Sequence, residues 1–179
     1  KKAWDKFFKK NYSVKIKGIS LLTNKDVITG TDVTIALVSD KRMDLYARVT
    51  DVAGGSELKY FMSFGYDFFI GPVEYPKEFE GMKKILNDFS VEFLNDYYAD
   101  EATSLTKKIK GLEKDIKKNK KSIKKNNRKA GKGSAEVANG LAAKNTSKEM
   151  ENEELKRKIG DLNKEIEMLK VKQAGITRN

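Results

Sequence analysis

Apolar and polar side chains alternate along the first part of the chain, between Tyr12 and Ile70. An alternation of period two is typical of strands that bury one face. The connections are short and rich in turn-forming residues, and the Gly54-Gly55 pair suits a tight hairpin. Because short connections require antiparallel neighbours, the pattern predicts a four-stranded antiparallel meander. The alternating apolar positions are Val14, Ile16, Val33, Ile35, Leu37, Leu45, Ala47, Val49, Leu58, Tyr60, Met62 and Phe64.

Apolar residues at helical spacing lie on both sides of this region. Trp4, Phe7 and Phe8 predict a short N-terminal helix. Residues 77–98 carry apolar side chains at spacings of three and four, which predicts a strongly amphipathic helix. Because a sheet with one apolar face needs a cover, we expect this helix to pack across it in an α+β domain.

A heptad pattern follows residue 100. Two sets of Ile and Leu recur at alternating spacings of four and three, and they predict helices over about 104–129 and 148–173. The low-complexity stretch 130–147 is interpreted as a flexible tip that reverses the chain. The sequence therefore predicts an antiparallel coiled-coil hairpin. Its seam is formed by Leu105, Ile109, Leu112, Ile116, Ile123, Leu155, Ile159, Leu162, Ile166 and Leu169.

The register of this hairpin can be predicted by matching Ile and Leu layers. One register places Ile116 opposite Leu162 and gives four apolar layers, with Asn126 facing Asn152 and Asn119 facing Ile159. It also lays the acidic start of the second helix against the most basic part of the first, which favours the fold-back. A parallel assembly of several chains is the alternative, because Ile at a positions and Leu at d positions also permit it.

Charge and aromatic content divide the chain near residue 100. Residues 1–100 carry 15 basic and 15 acidic side chains, whereas residues 101–179 carry 22 basic and 11 acidic ones. All 17 aromatic residues lie in the first part. Since a globular core needs bulky apolar groups, we predict a small α+β domain over 1–100 and a basic coiled-coil hairpin over 101–179.

The amino-acid composition excludes most kinds of catalytic site. The chain has no Cys and no His, so it lacks thiolate nucleophiles, disulfides and the commonest ligands of transition metals. No local pattern indicates a catalytic, cofactor-binding or metal-binding residue, and we predict that the protein is not an enzyme.

The sequence also bears on location. The longest apolar run is four residues, Ile35 to Val38, far below the roughly 20 that a membrane-spanning helix needs, so no transmembrane segment is expected. The chain begins at Lys1 without a methionine, which removal of a secretion signal or trimming explains. A periplasmic or secreted location is therefore favoured over a cytoplasmic one.

Lysine density is highest over residues 107–132, which hold 13 basic and two acidic side chains. Three interpretations stay open: a solvated coiled-coil face, docking on an acidic protein or anionic lipid surface, and sequence-independent nucleic-acid binding. The stretch has no interleaved aromatic residue for base stacking. The candidate contact residues are Lys107, Lys108, Lys110, Lys114, Lys117, Lys118, Lys121, Lys124, Lys125 and Arg128.

These features favour a non-catalytic interaction or structural subunit, an adaptor of a larger, envelope-associated assembly. Its expected partner is another protein or a second copy of the chain. The expected contact surfaces are the hairpin and exposed aromatic residues among Tyr66, Phe68, Phe69, Tyr97 and Tyr98. The first alternative is a nucleic-acid-binding accessory protein that acts through the Lys-rich helix.

A chaperone-like client binder is the second alternative. A β-containing body with a basic helical hairpin resembles, in outline, the prefoldin-like and periplasmic tentacle chaperones. The order of elements differs from theirs, because here the sheet precedes both helices and is not split around them.

Overall fold

A computed structural model describes residues 1–19, 24–66 and 68–176. The chain divides into two compact units, the first covering Lys1–Phe93 and the second starting at Leu94. In chain order the elements are α1 (Lys2–Tyr12), β1 (Lys17–Ile19), β2 (Asn24–Ile35), β3 (Ser39–Val52), β4 (Gly55–Ser63), α2 (Pro76–Ala130) and α3 (Ala135–Ala174).

The four strands form one antiparallel sheet in the order β1-β2-β3-β4. This confirms the predicted meander. Strands β3 and β4 are joined by the two residues Ala53 and Gly54, with Val52 paired to Gly55. Gly54 has a φ of 80°, a left-handed conformation that glycine adopts without steric cost. The predicted Gly-Gly hairpin is thus present at its predicted place.

One strand connection differs from the expected pattern. The alternation predicts a strand that continues through Leu37, but β2 ends at Ile35 and the turn occupies residues 36–38. A bulge in β2 shifts the pairing between Gly30 and Val33, and Asp32 there has a φ of 57°. Asp44 accepts a hydrogen bond of 2.8 Å from the Asp32 backbone N–H and fixes the bulge. A single extra residue of this kind moves every later side chain relative to its partner strand.

The core of the first unit lies between one face of the sheet and the helices α1 and α2. The predicted aromatic residues of α1 are all buried, and Trp4 packs edge-on against Phe89 of α2 with ring centroids 4.7 Å apart. The sheet contributes Ile28, Leu45 and Met62, each fully shielded from solvent. Burying each of these side chains contributes on the order of 1.5–3 kcal/mol. The predicted packing of the amphipathic helix on the sheet is therefore confirmed.

Two contacts hold α2 against the sheet. The Tyr60 hydroxyl of β4 donates a hydrogen bond of 2.5 Å to the carbonyl oxygen of Met82. One residue earlier, a Cβ atom at Gly81 would collide with the carbonyl oxygen of Leu37 in the β2–β3 turn. Only glycine permits this close approach between helix and turn.

The helix boundaries differ from those predicted. The sequence predicts separate helices over 77–98 and about 104–129, whereas α2 runs from Pro76 to Ala130. The intervening residues 99–103 contain neither Gly nor Pro, so nothing in the local sequence ends the helix. The change from a three-to-four spacing to a strict heptad was not a helix boundary.

The predicted flexible tip is largely helical. Helix α3 starts at Ala135, well before the predicted 148, and the Ser134 hydroxyl accepts a hydrogen bond from the Val137 backbone N–H as its N-cap. The connection between the helices is therefore residues 131–134 and not 130–147. Composition misled the prediction here, because a stretch rich in Ala and Gly was interpreted as a loop. None of the described helices is both long and apolar enough to cross a membrane.

Candidate interaction surface: the helical hairpin and the outer face of the sheet

Two pairs of asparagines join α2 to α3 and define the register of the hairpin. The Asn119 side chain donates a hydrogen bond of 3.2 Å to the Asn152 side-chain oxygen. One heptad further along α2, Asn126 donates one of 2.9 Å to Asn145. The numbers of the two residues add up to 271 in both pairs. The helices are thus antiparallel, with one constant register over the polar half of the hairpin.

The predicted register is therefore wrong by one heptad. It requires numbers that add up to 278, as for Ile116 and Leu162, and it leaves Asn119 opposite Ile159. An asparagine buried against isoleucine loses its hydrogen bonds to water without replacement, which costs about 1–3 kcal/mol. The observed register pairs each buried asparagine with another amide, so the polar layers decide the alignment.

Charges that flank the seam favour the same register. Lys120 and Glu149 line one groove between the helices, and Lys108 and Glu165 line another. In the predicted register, heptad positions would instead place Lys120 opposite Lys156. Opposite charges beside the seam stabilise one register and like charges destabilise the other.

A lysine also contributes to the polar layers. Lys148 is half-buried and donates a hydrogen bond of 3.1 Å to the side-chain oxygen of Asn119. Asn145 in turn donates one of 2.6 Å to Asn127. Sequence reasoning missed Asn145 because it falls in the stretch interpreted as a tip, and Lys148 because it was the first residue of the predicted second helix. Their signal was present, since Leu141, Asn145, Lys148 and Asn152 follow the same spacing of four, three and four.

The apolar half of the seam is most deeply buried toward residue 105. Leu105, Ile109 and Ile166 are buried and form one cluster. The remaining predicted seam residues are only half-buried. A hairpin of two helices covers its seam from one side only, which explains this partial burial. The half-buried members are Leu112, Ile116, Ile123, Leu155, Ile159, Leu162 and Leu169.

Ion pairs in the hairpin lie within each helix and do not join the two. Lys156 is 2.6 Å from Glu153, and Lys158 is 2.7 Å from Glu154. The hydrogen bond from Lys158 holds the pKa of the Glu154 carboxyl below its usual value. Among the described residues, no ion pair connects α3 with α2. Glu153 and Glu154 of α3 thus pair with lysines of their own helix and do not neutralise the lysines of α2.

All ten predicted contact residues of α2 are exposed. Over the fully described stretch 107–129, a single ion pair occurs, between Lys118 and Asp115 at 2.9 Å. Seven cations follow a second heptad pattern, at positions b and f, on the side of α2 turned away from the seam. We call this set the outer row; it comprises Lys107, Lys110, Lys114, Lys117, Lys121, Lys124 and Arg128.

The first unit carries an exposed aromatic surface on the face of the sheet that points away from the core. Phe61 of β4 stacks on Tyr46 of β3 with centroids 5.1 Å apart, and Phe69 contacts Phe61 edge-on at 5.6 Å. Phe61 is 41% and Phe69 48% exposed. We call these three residues the aromatic patch. Sequence reasoning named Phe69 but missed the other two, although they occupy paired outward positions on neighbouring strands.

The other aromatic residues expected at the surface are distributed differently. Tyr66 is 98% exposed and makes no ring contact with the aromatic patch among those described, while Phe68 and Tyr97 are also exposed. Tyr98 is half-buried and packs edge-on against Tyr97.

The described part of the chain holds no group of three or more Asp or Glu side chains close enough to bind a metal ion. Comparison of the sequence with protein-family models and with curated proteins, and of the chain with solved structures, found no match.

Proposed function

We propose that the protein is a non-catalytic adaptor that binds a partner protein through the aromatic patch of its first unit. The observation that carries this proposal is the cluster of Tyr46, Phe61 and Phe69 on the solvent side of the sheet. Each of these side chains could have been polar without loss to the core, because the core lies on the opposite face.

Aromatic residues at such positions are typical of the centre of a protein interface. They present a large, rigid, apolar area at a low cost in conformational entropy, and they dominate binding energy when buried. The stacking of Tyr46 on Phe61 fixes both rings before a partner arrives. Less ordering is then required on binding, which favours affinity.

The helical hairpin would serve this adaptor as its second contact surface. The seam residues are used in packing α2 against α3, whereas the side chains of the outer row are exposed to solvent. We propose in addition that the hairpin is a coiled coil and that the adaptor works in an envelope-associated assembly. A second copy of the chain is included among the proposed partners.

The aromatic patch can be tested with one variant and one matched control. Phe61→Ser removes the central ring of the patch, while Val73→Ser removes an apolar side chain that is 83% exposed elsewhere in the first unit. Partners that co-purify with the chain in high salt, after nuclease treatment, are quantified by mass spectrometry for both variants. We expect Phe61→Ser to reduce at least one partner by tenfold or more, since removal of a hot-spot residue costs about 2 kcal/mol.

The control should leave the same partner within about twofold of the wild type, as expected for a peripheral contact. Equal partner levels for Phe61→Ser and the wild type would show that the patch is not an interface.

A further inference from the structure

The outer side of α2 is almost purely cationic over six turns of helix. In the heptad defined by the seam, positions b, c and f face away from α3. Ten residues between Lys107 and Arg128 occupy these positions, and Gly111 is the one among them without a positive charge. At about 1.5 Å per residue the stretch is about 31 Å long. Its two acidic residues, Glu113 and Asp115, fall at the flanking e and g positions.

These cations project over a wide arc and not from a single line. With about 100° of rotation per residue, the b and c positions lie about 100° apart, and the f position lies between them. Lys108 and Lys120 extend the arc further on either side. A flat anionic surface would meet only part of such an arc, whereas a concave one with charges on both walls would meet all of it.

The outer side of α2 also lacks the side chains with which helices bind lipid bilayers or individual carboxylates. Helices that bind bilayers bury an apolar face among the lipid headgroups, but the apolar residues of α2 here are committed to the seam with α3. Lysine is a point charge without the fork geometry that pairs with individual carboxylates, and the single Arg128 adds little of it. The repeated, uniform charge therefore fits a polymer of identical anionic units.

We propose that the outer side of α2 binds double-stranded DNA, without reading its sequence, by lying in the major groove between two lines of phosphates. That groove is about 12 Å wide and admits one α-helix of about 10–12 Å. In this arrangement the b and c lysines reach phosphates on opposite walls, and α3 stays outside the groove. The deep, narrow major groove of double-stranded RNA would not admit the helix.

This site is separate from the aromatic patch, so the DNA proposal and the binding of a partner protein at the aromatic patch can fail independently. If the DNA proposal holds, DNA is the ligand of the outer side of α2, and the adaptor binds its partner protein through the aromatic patch. The test titrates the full-length chain into two labelled duplexes of about 24 base pairs with unrelated sequences, over about 50–300 mM KCl. Fluorescence anisotropy gives the affinity for each. We expect equal affinity for both duplexes and a slope of log affinity against log salt of about −4.5, since the five lysines at b and c positions contribute about −0.9 each.

A charge-matched pair of variants locates the site. Lys110→Gln, Lys117→Gln and Lys124→Gln together remove the b-position cations. They should reduce the slope by about 3 units, with a loss in affinity of two to three orders of magnitude at about 0.1 M salt. The control variant carries the same number of lysine-to-glutamine changes in α3, at the ion-paired residues Lys156, Lys158 and Lys164. Its slope should stay within about half a unit of the wild type.

Circular dichroism at 222 nm checks that the variants are folded. If the triple variant is not folded, Lys118→Gln with Lys125→Gln replaces it and should reduce the slope by about 2 units, because it removes the two c-position lysines. Three results would overturn the proposal: no binding at about 50 mM salt, equal losses in the α2 and α3 variants, or tighter binding to phosphatidylserine vesicles than to either duplex.

Discussion

The Tyr60 hydroxyl combines a structural contact with a shifted proton equilibrium. It donates its hydrogen bond to the carbonyl oxygen of Met82, and burial, with a smaller effect from Tyr12, raises its pKa well above the ordinary value of 10.0. The folded state therefore keeps this proton at a pH at which the unfolded state has lost it. The stabilisation is complete below pH 10 and is lost as the pH rises toward the pKa of the folded state.

Replacing Tyr60 with Phe should reveal both effects. At pH 7 we expect Tyr60→Phe to lower the free energy of unfolding by about 1 kcal/mol, because one hydrogen bond to α2 is removed. Above pH 10 the difference should shrink, since the variant no longer has this group to ionise on unfolding. Urea denaturation at neutral and alkaline pH measures the difference in the free energy of unfolding between the variant and the wild type. Tyr66→Phe is the control, because the Tyr66 side chain is exposed. A difference that is constant with pH would contradict this account.

The pairing of α2 with α3 depends on side chains that a search for apolar matches undervalues. Four layers of Ile and Leu fit the predicted register, and its fit is as good as that of the observed one when apolar residues alone are considered. Asn119 separates the two registers, because it faces Ile159 in the predicted one and bonds to Asn152 in the observed one, whereas Asn126 meets an amide in both. A mixed seam of this kind exchanges some stability for a unique alignment.

Cysteine pairs can test the register, since the chain has no natural Cys. The observed register places Ile116 in one layer with Leu155, and the rejected one places it with Leu162. We expect the Ile116→Cys, Leu155→Cys variant to form an intramolecular disulfide under mild oxidation and the Ile116→Cys, Leu162→Cys variant not to, because the latter pair is separated by two turns. Electrophoresis without reductant distinguishes them, and a fast disulfide in the second variant alone would establish the other register.

The sequence predicted those strands and helices that bury one face and expose the other. Alternation located β3 and β4 because their inward residues, such as Leu45 and Met62, are fully buried while their neighbours are not. It could not locate the bulge at Asp32, which depends on a hydrogen bond from another strand. The ten exposed cations were likewise predictable from charge density, and their heptad positions on α2 follow from the seam residues of α2 that the sequence predicted.

The unfolding of the two compact units can be followed with different spectroscopic signals. Trp4, the single tryptophan, lies in the core of the first unit, whereas α3 belongs to the second. We expect Leu45→Ala to shift the fluorescence transition by about 2–5 kcal/mol and Ile109→Ala to shift mainly the transition at 222 nm. Coincident shifts of both signals in both variants would show that the chain unfolds as one cooperative unit.

The constant sum of paired residue numbers restricts how the hairpin can change in length. A seven-residue duplication in one helix alone, between these layers and the connection 131–134, would shift the register by one heptad. It would leave Asn119 opposite Ile159 if it lay in α2, or Asn126 opposite Ala138 if it lay in α3. Equal duplications in both helices would leave every existing layer intact and extend the tip by about 10 Å. Viable length variants of this protein should therefore differ by multiples of fourteen residues in the hairpin, so its reach is expected to evolve in discrete steps.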